Sequence, residues 1–411
     1  MEKFICRRPG PKSVRVISRD DKIVSPCVMR EYSFVWKKAK GCYVYDVDGR
    51  KYLDFSAAIA VANVGHTNPV VMNAIKKQAG KLTHCGFSDF YAELPVEFCE
   101  TLVSFLPQPL KKVFLSNSGT ESIEAAYKLA RWHTNRKWVI AFKNAFHGRT
   151  MGSLSMTNSR PVQRERYSPF LPVRHVPYPN PYRMGDCADQ CLSELEKAMK
   201  SLKGECAALF MEPVQGEGGY VVPPKAFVKG ARHLCSEHGV LLCADEVQAG
   251  CYRTGRFLAM ENFGVKTVSS SKIMDWVPGS HGNTFGGNLL ACAAGIATLK
   301  YMRQKRLGNN ARRLGKLMLR RLNELKDEIE IIGDVRGLGL MIGVEIVENK
   351  RSKKPAPNIR SAILCKAAEK GLILLPAGKS VIRICPPLTL TRSQAEHGLD
   401  ILEDACQYWH R

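Results

Sequence analysis

Asp245 stands at the end of an apolar run, Val240-Leu241-Leu242-Cys243-Ala244. A carboxylate at the end of a buried strand needs a cation, because an unpaired buried charge is costly. A protonated ring nitrogen would serve, and an aspartate on such a nitrogen makes the ring an effective electron sink. A salt bridge to one of the chain's many arginines would serve as well. Gln248, three residues on, is spaced to donate to a phenolic oxygen of the same ring. Phe146-His147-Gly148-Arg149-Thr150 puts an aromatic ring beside a small residue after another apolar run; it is either a stacking face for a flat ring or one more core aromatic. Ser116-Asn117-Ser118-Gly119-Thr120-Glu121 has the composition of a turn into a helix. Such a turn caps the helix and also exposes N–H groups and hydroxyls to a phosphate. Glu212-Pro213-Val214-Gln215-Gly216-Glu217-Gly218-Gly219 is a tight loop carrying two carboxylates, a loop that many alternating folds contain.

The elements that must hold these residues alternate. Val70 to Lys81, Thr120 to Asn135 and Pro224 to His238 have helical patterns, and Lys112 to Leu115, Trp138 to Phe142, Ala207 to Met211 and Val240 to Ala244 read as short strands. Alternation of this kind predicts an α/β fold with a mostly parallel central sheet, whose ligands gather at the carboxyl ends of the strands. Ahead of it, Val44 to Val47 and Lys51 to Phe55 flank Asp48-Gly49 and predict a small antiparallel hairpin. After residue 310 come a charged helix (Ala311 to Ile329), an apolar run (Val335 to Val347), a helix to Lys370, strands Leu372 to Leu375 and Val381 to Ile384, and a last helix from Ser393 to Trp409. The expected domains are an N-terminal segment, 1–65, a large domain, 66–310, and a small α+β domain, 311–411.

At 411 residues and 45% hydrophobic content the chain has enough apolar mass for a sizeable core. Its longest apolar candidate, Leu289 to Leu299, is too short to span a bilayer and is interrupted by Gly295. No apolar stretch follows Arg7 and Arg8, so neither a membrane nor a secretory signal is expected, and the expected location is the cytoplasm. The 15 cysteines are an odd number without a CxxC pair, which argues against a disulfide framework or a metal site. The formal charge of +23 is spread along the chain without a nucleic-acid-binding motif, so a basic solvated surface is expected and no specific nucleic acid.

Taken together, in this order and at these intervals, the blocks resemble the class III (ornithine/4-aminobutyrate type) aminotransferases from about Arg8 to the C-terminus, archaeal members above all. The resemblance implies pyridoxal 5'-phosphate (PLP), the fold type I transferase architecture with a smaller C-terminal α+β domain, and a homodimer with shared active sites. It implies amino transfer from an amino acid or ω-amine, of 4-aminobutyrate, ornithine or acetylornithine type, to a 2-oxo acid. Ser118, Gly119 and Thr120 would hold the phosphate, Phe146 would stack on the ring with His147 beside it, and Asp245 and Gln248 would meet the ring nitrogen and hydroxyl. Thr284 would reach the phosphate bound by the other subunit. Arg149 and Arg383 would bind substrate, Arg383 at the α-carboxylate, and Glu217 would mask Arg383 when an ω-amine binds. The chain departs from the pattern at Ser122 (alanine in the family), Tyr252 (glycine) and Leu289 (proline).

The larger departure is an interval. Thirty-nine positions separate Asp245 from Thr284, with Lys266 and Lys272 the lysines between them, and the family's Schiff-base lysine belongs in this stretch. Lys272 stands near the expected distance from Asp245. It runs straight into Ile273-Met274-Asp275-Trp276, however, which in the family follows the lysine only after a turn and a further strand. Aligned from that side, the lysine and a neighbouring strand, about twenty residues, are missing. Two readings follow: a working enzyme that uses Lys272, or a catalytically impaired PLP-binding or partner-binding relative. A deletion also predicts one short strand or loop at 266–271, and an exposed sheet edge or underfilled cavity beside Asp245.

Overall fold

The structure, a computed structural model, describes residues 8–108, 110–265 and 272–409. Its strands, in chain order, are β1 (Trp36–Lys40), β2 (Tyr43–Asp46), β3 (Lys51–Asp54), β4 (Trp138–Phe142), β5 (Val173–Val176), β6 (Cys206–Met211), β7 (Leu241–Ala244), β8 (Ile332–Leu338), β9 (Met341–Ile346), β10 (Leu372–Ile373), β11 (Leu375–Ala377) and β12 (Val381–Ile384). Two compact units contain them: Met1–Asn68 with Leu307–Arg411, and Pro69–Arg306.

In the first unit, β2 and β3 form the hairpin expected around Asp48-Gly49. β1 extends it on one side and β10 pairs in parallel with β3 on the other, so the N-terminal segment shares a sheet with residues near the end of the chain. A second sheet, β11-β12-β9-β8, is antiparallel throughout. Pro357–Glu369 and Arg392–Gln407 are helical close to the expected bounds.

The second unit is built on a parallel sheet in the order β5-β4-β6-β7. β6 is buried along its whole length, as a strand covered on both faces must be. Ile123, Tyr127 and Ala130, at helical spacing on Gly119–Thr134, pack with Val139, Ala141 and Phe210. Phe142, which alternates with Ala141 along β4, meets Phe227 of the helix Lys225–Glu237, ring centroids 5.8 Å apart. Helices thus cover both faces of this sheet.

Three expectations need revision. Residues 112–115 form no strand: nothing among the described residues pairs with them, and the Leu115 carbonyl instead accepts the Asn283 side-chain amide at 2.9 Å. β5 was not expected at all. Its residues, Val-Arg-His-Val, include two polar side chains that mask a short strand at a sheet edge. Cys365 takes part in a disulfide, whereas the other described cysteines are free thiols. The expected short element at 266–271 lies outside the described residues. β7 has one described partner, β6, and its four residues are all half-buried, in contrast to β6.

Candidate active site

β4, β6 and β7 each run at their carboxyl end into a turn, and glycines let these turns close on one another. Gly148 has φ +127°, and a Cβ there would lie 2.2 Å from Thr120 Oγ1. A Cβ on Gly216 would meet the Gln248 amide at 2.7 Å, and one on Gly119 would lie 3.0 Å from Val247. Side chains at these positions would push the turns apart. The four blocks 116–121, 146–150, 212–219 and 245–248 therefore form one cluster within the second unit.

Asp245 is 7% exposed. Its Oδ2 accepts a 2.7 Å hydrogen bond from His147 Nδ1, and its Oδ1 accepts the Val247 N–H at 3.1 Å. An ionised carboxylate offers about four acceptor positions, so capacity remains for a further donor. Burial alone would push the His147 imidazole down, but the hydrogen bond and charge of Asp245, helped by Glu212, win and raise it above its ordinary value. Burial pushes the Glu212 carboxyl up to about 7 and Asp245 adds to this, against His147 and the two backbone donors. Those donors are the N–H groups of Phe146, at 3.0 Å, and Gly216, at 2.9 Å, so Glu212 joins the turn after β4 to the turn after β6. This joining role was not visible in the sequence, where the signal was only an acidic residue closing a wholly apolar strand.

Of the buried side-chain polar atoms without a hydrogen-bond partner among the described residues, two belong to this cluster, His147 Nε2 and Gln248 Oε1. Unpartnered buried polar atoms are rare in proteins; His147 is bonded to Asp245 through its other ring nitrogen, and Gln248 stands three residues after Asp245. Ser118 caps Gly119–Thr134, its side chain accepting from the Glu121 N–H, which leaves the other first-turn N–H groups of the helix for an anion. Phe146 is half-buried with the Arg149 guanidinium carbon 5.4 Å from its ring centroid. This is the chemistry a phosphorylated, cationic pyridine ring requires, and the residues fit PLP.

The other expected residues have the following surroundings. Glu217 is 3.8 Å from Arg160. Thr284 is exposed in a turn fixed by the Asn283 amide on Leu115. Lys272 is exposed in a turn, with no hydrogen bond or ion pair among the described residues. The residues after it lie along the helix Gly119–Thr134, where His133 meets Asp275 at 2.7 Å and Lys128 meets His281 at 2.9 Å. Arg383 belongs to the first unit: it is 2% exposed on β12, opposite Gly343 of β9, and donates to the Pro376 carbonyl at 3.2 Å.

The family model for aminotransferase class-III matches residues 28–268 and 266–406. The chain belongs to the class III aminotransferases. An alanine/serine racemase of Pyrococcus horikoshii is 37% identical over 438 residues, with 98% of this chain and 92% of that protein covered. The 4-aminobutyrate aminotransferase of Escherichia coli is 38% identical over 392 residues, covering 89% and 91%. The ornithine aminotransferase structure from Toxoplasma gondii superposes with a TM-score of 0.87 at 29% identity, covering 96% of this chain and 94% of that one. This class III chain therefore has the fold type I architecture of PLP-dependent transaminases, and PLP is the cofactor of its family. The two matched stretches meet at 266–268, inside the short interval between Asp245 and Thr284. The alignment to the Pyrococcus protein is also longer than the 411 residues of this chain, so that relative has segments without a counterpart here.

Proposed function

We propose that this class III aminotransferase takes an amino group from an α-amino acid or ω-amine of 4-aminobutyrate, ornithine or acetylornithine type and passes it to a 2-oxo acid, as a cytoplasmic homodimer. The observation that carries the reading is the buried pair of Asp245, after β7, and His147, after β4, in a cluster of glycine-packed turns where His147 Nε2 and Gln248 Oε1 are unpartnered among the described residues. PLP, when bound, supplies the electron sink for removing a proton beside the amino group. Asp245 holds the ring nitrogen in its protonated form, and His147 fixes the orientation of that carboxylate. Phe146 covers one ring face, Gln248 holds the ring hydroxyl, and Ser118, Gly119 and Thr120 anchor the phosphate, with Thr284 serving the partner subunit. Arg383 and Arg149 bind substrate, Arg383 at the α-carboxylate, and Glu217 masks Arg383 when an ω-amine binds. Lys272 is the proton carrier and covalent anchor.

A second reading is a site that holds PLP without turnover, the outcome if Lys272, exposed in a turn, does not serve the site. One experiment separates the two. The purified protein is loaded with PLP, treated with borohydride and mapped by peptide mass spectrometry; a covalent adduct on Lys272 supports the enzyme. Bound PLP with no covalent adduct on any lysine would reject it in favour of the second reading. A donor screen with 2-oxoglutarate, with chiral analysis of the amino acids to register racemisation, then defines substrate and reaction.

A further inference from the structure

The phosphate end of the cluster holds a network that the roles above do not use. Glu124, one turn into the helix Gly119–Thr134, directs its carboxylate back to the turn after β4. Its Oε1 accepts the Thr150 hydroxyl at 2.5 Å and the Ser153 N–H at 3.0 Å. Thr120 Oγ1 lies 2.9 Å from Thr150 Oγ1 and 2.6 Å from Ser153 Oγ. Two glycines make room for this. A Cβ on Gly152 would lie 2.1 Å from Glu124 Oε2, and one on Gly148 would fall 2.2 Å from Thr120 Oγ1 and 2.6 Å from Ser153 Oγ.

The network has a direction. A hydroxyl carries one proton, and Thr150 spends its own on Glu124, so towards Thr120 the Thr150 oxygen only accepts. The single Ser153 proton is shared among Thr120 Oγ1, the Thr150 hydroxyl oxygen at 3.0 Å and the Thr150 carbonyl at 3.1 Å. The Thr120 proton then faces the neutral oxygens of Thr150 and Ser153 and any anion at the helix N-terminus, and a hydrogen bond to the anion is the strongest of these. We propose that Glu124 is a positioning residue for the cofactor phosphate: by anchoring Thr150 and Ser153 it sets where the Thr120 hydroxyl sits and which way it donates. The proposal rests on the assignment of Gly119 and Thr120 to the phosphate.

The test compares PLP with pyridoxal, which lacks the phosphate, in equilibrium binding to cofactor-free protein followed by fluorescence. Wild type should favour PLP. Glu124→Ala should weaken PLP by about tenfold, the scale of one hydrogen bond to a charged group, and leave pyridoxal affinity unchanged. Glu124→Gln, which keeps an acceptor for Thr150 and Ser153, should restore the preference. Thr150→Val should reproduce the loss without touching the carboxylate and Thr150→Ser should not, which keeps the idea testable if Glu124→Ala folds poorly. Equal weakening of both ligands, or a preference unaltered in Glu124→Ala and Thr150→Val, overturns the inference while leaving the phosphate site in place. A wild type that binds PLP and pyridoxal equally overturns the phosphate assignment itself and the inference with it.

Discussion

Replacing Asp245 with asparagine should reverse the pH behaviour of His147. In the wild type two opposed effects act on the imidazole: burial, which pushes it below 6.5, and the 2.7 Å contact to Asp245 with its charge, which together with Glu212 brings it above. Asparagine keeps the shape and removes the charge. With that charge gone, burial is the stronger of the effects left on the ring. His147 should therefore titrate above 6.5 in the wild type and below it in Asp245→Asn. The linkage changes sign with it. In the wild type the contribution of His147 to stability is complete below 6.5 and is lost as pH rises through its folded value; in the variant it is present above 6.5 and lost as pH falls. Histidine-labelled NMR of the cofactor-free protein, with His147→Leu to assign the resonance, reads the titration directly. If His147 in Asp245→Asn still titrates above 6.5, Asp245 does not set the charge of the ring, and its place as the holder of a ring nitrogen loses support.

Two further outcomes follow from the charges. Glu212, with a folded value of about 7 against 4.5, prefers its protonated form in the fold, so its contribution is present below 4.5 and lost as pH rises through 7, by about 3 kcal/mol at most. Urea midpoints between pH 5 and 8 should fall in the wild type and fall less in Glu212→Gln, with Glu246, also raised to about 7 by burial, retaining part of the slope; superimposable slopes would show that Glu212 is not the source. Duplex DNA should bind weakly, without sequence preference, and be released as salt rises, because a net charge of +23 spread over the surface acts through counterion release alone; a salt-resistant, sequence-selective complex in a fluorescence titration would contradict this.

What could be read from the sequence was whatever depends on local pattern. β6, β7 and the helix Gly119–Thr134 follow from continuous apolar runs and from the spacing of Ile123, Tyr127 and Ala130. The site blocks were visible because each closes an apolar run with polar or small residues. Residues 112–115 failed because a strand exists only through pairing, and their apolar pattern carries no information about whether a partner is present. The links between blocks were invisible for a related reason. Glu212 to Phe146 and Glu124 to Thr150 join residues far apart in the chain, and nothing in the spacing marks them. Tyr252 is an instructive departure: its φ is +67°, a backbone region that suits the glycine of the family and costs an L-residue roughly 1–2 kcal/mol. Its ring rests on Phe257, centroids 5.3 Å apart, an aromatic contact that offsets part of that cost.

The arrangement of the sheet bears on how cofactor recognition relates to covalent catalysis in this chain. Three of the four recognition turns hang on strands, since Phe146 and His147 follow β4, Glu212 follows β6, and Asp245 and Gln248 follow β7, while the fourth, 116–121, follows residues that form no strand. The bonds that hold these turns, from His147 to Asp245 and from Phe146 and Gly216 to Glu212, run between them and ask nothing of a strand beyond β7. A Schiff-base lysine differs, because in the family pattern the chain resembles it comes from the interval between Asp245 and Thr284 and not from these turns. Among the described residues no strand pairs with that side of β7 and none pairs with 112–115, although the turns that follow them touch where Gly119 meets Val247. Shortening of the chain at this place would remove the delivery of the lysine while leaving the binding turns assembled. Pocket and covalent anchor are in this sense physically separable, and PLP affinity and covalent capture should therefore be measured as independent quantities.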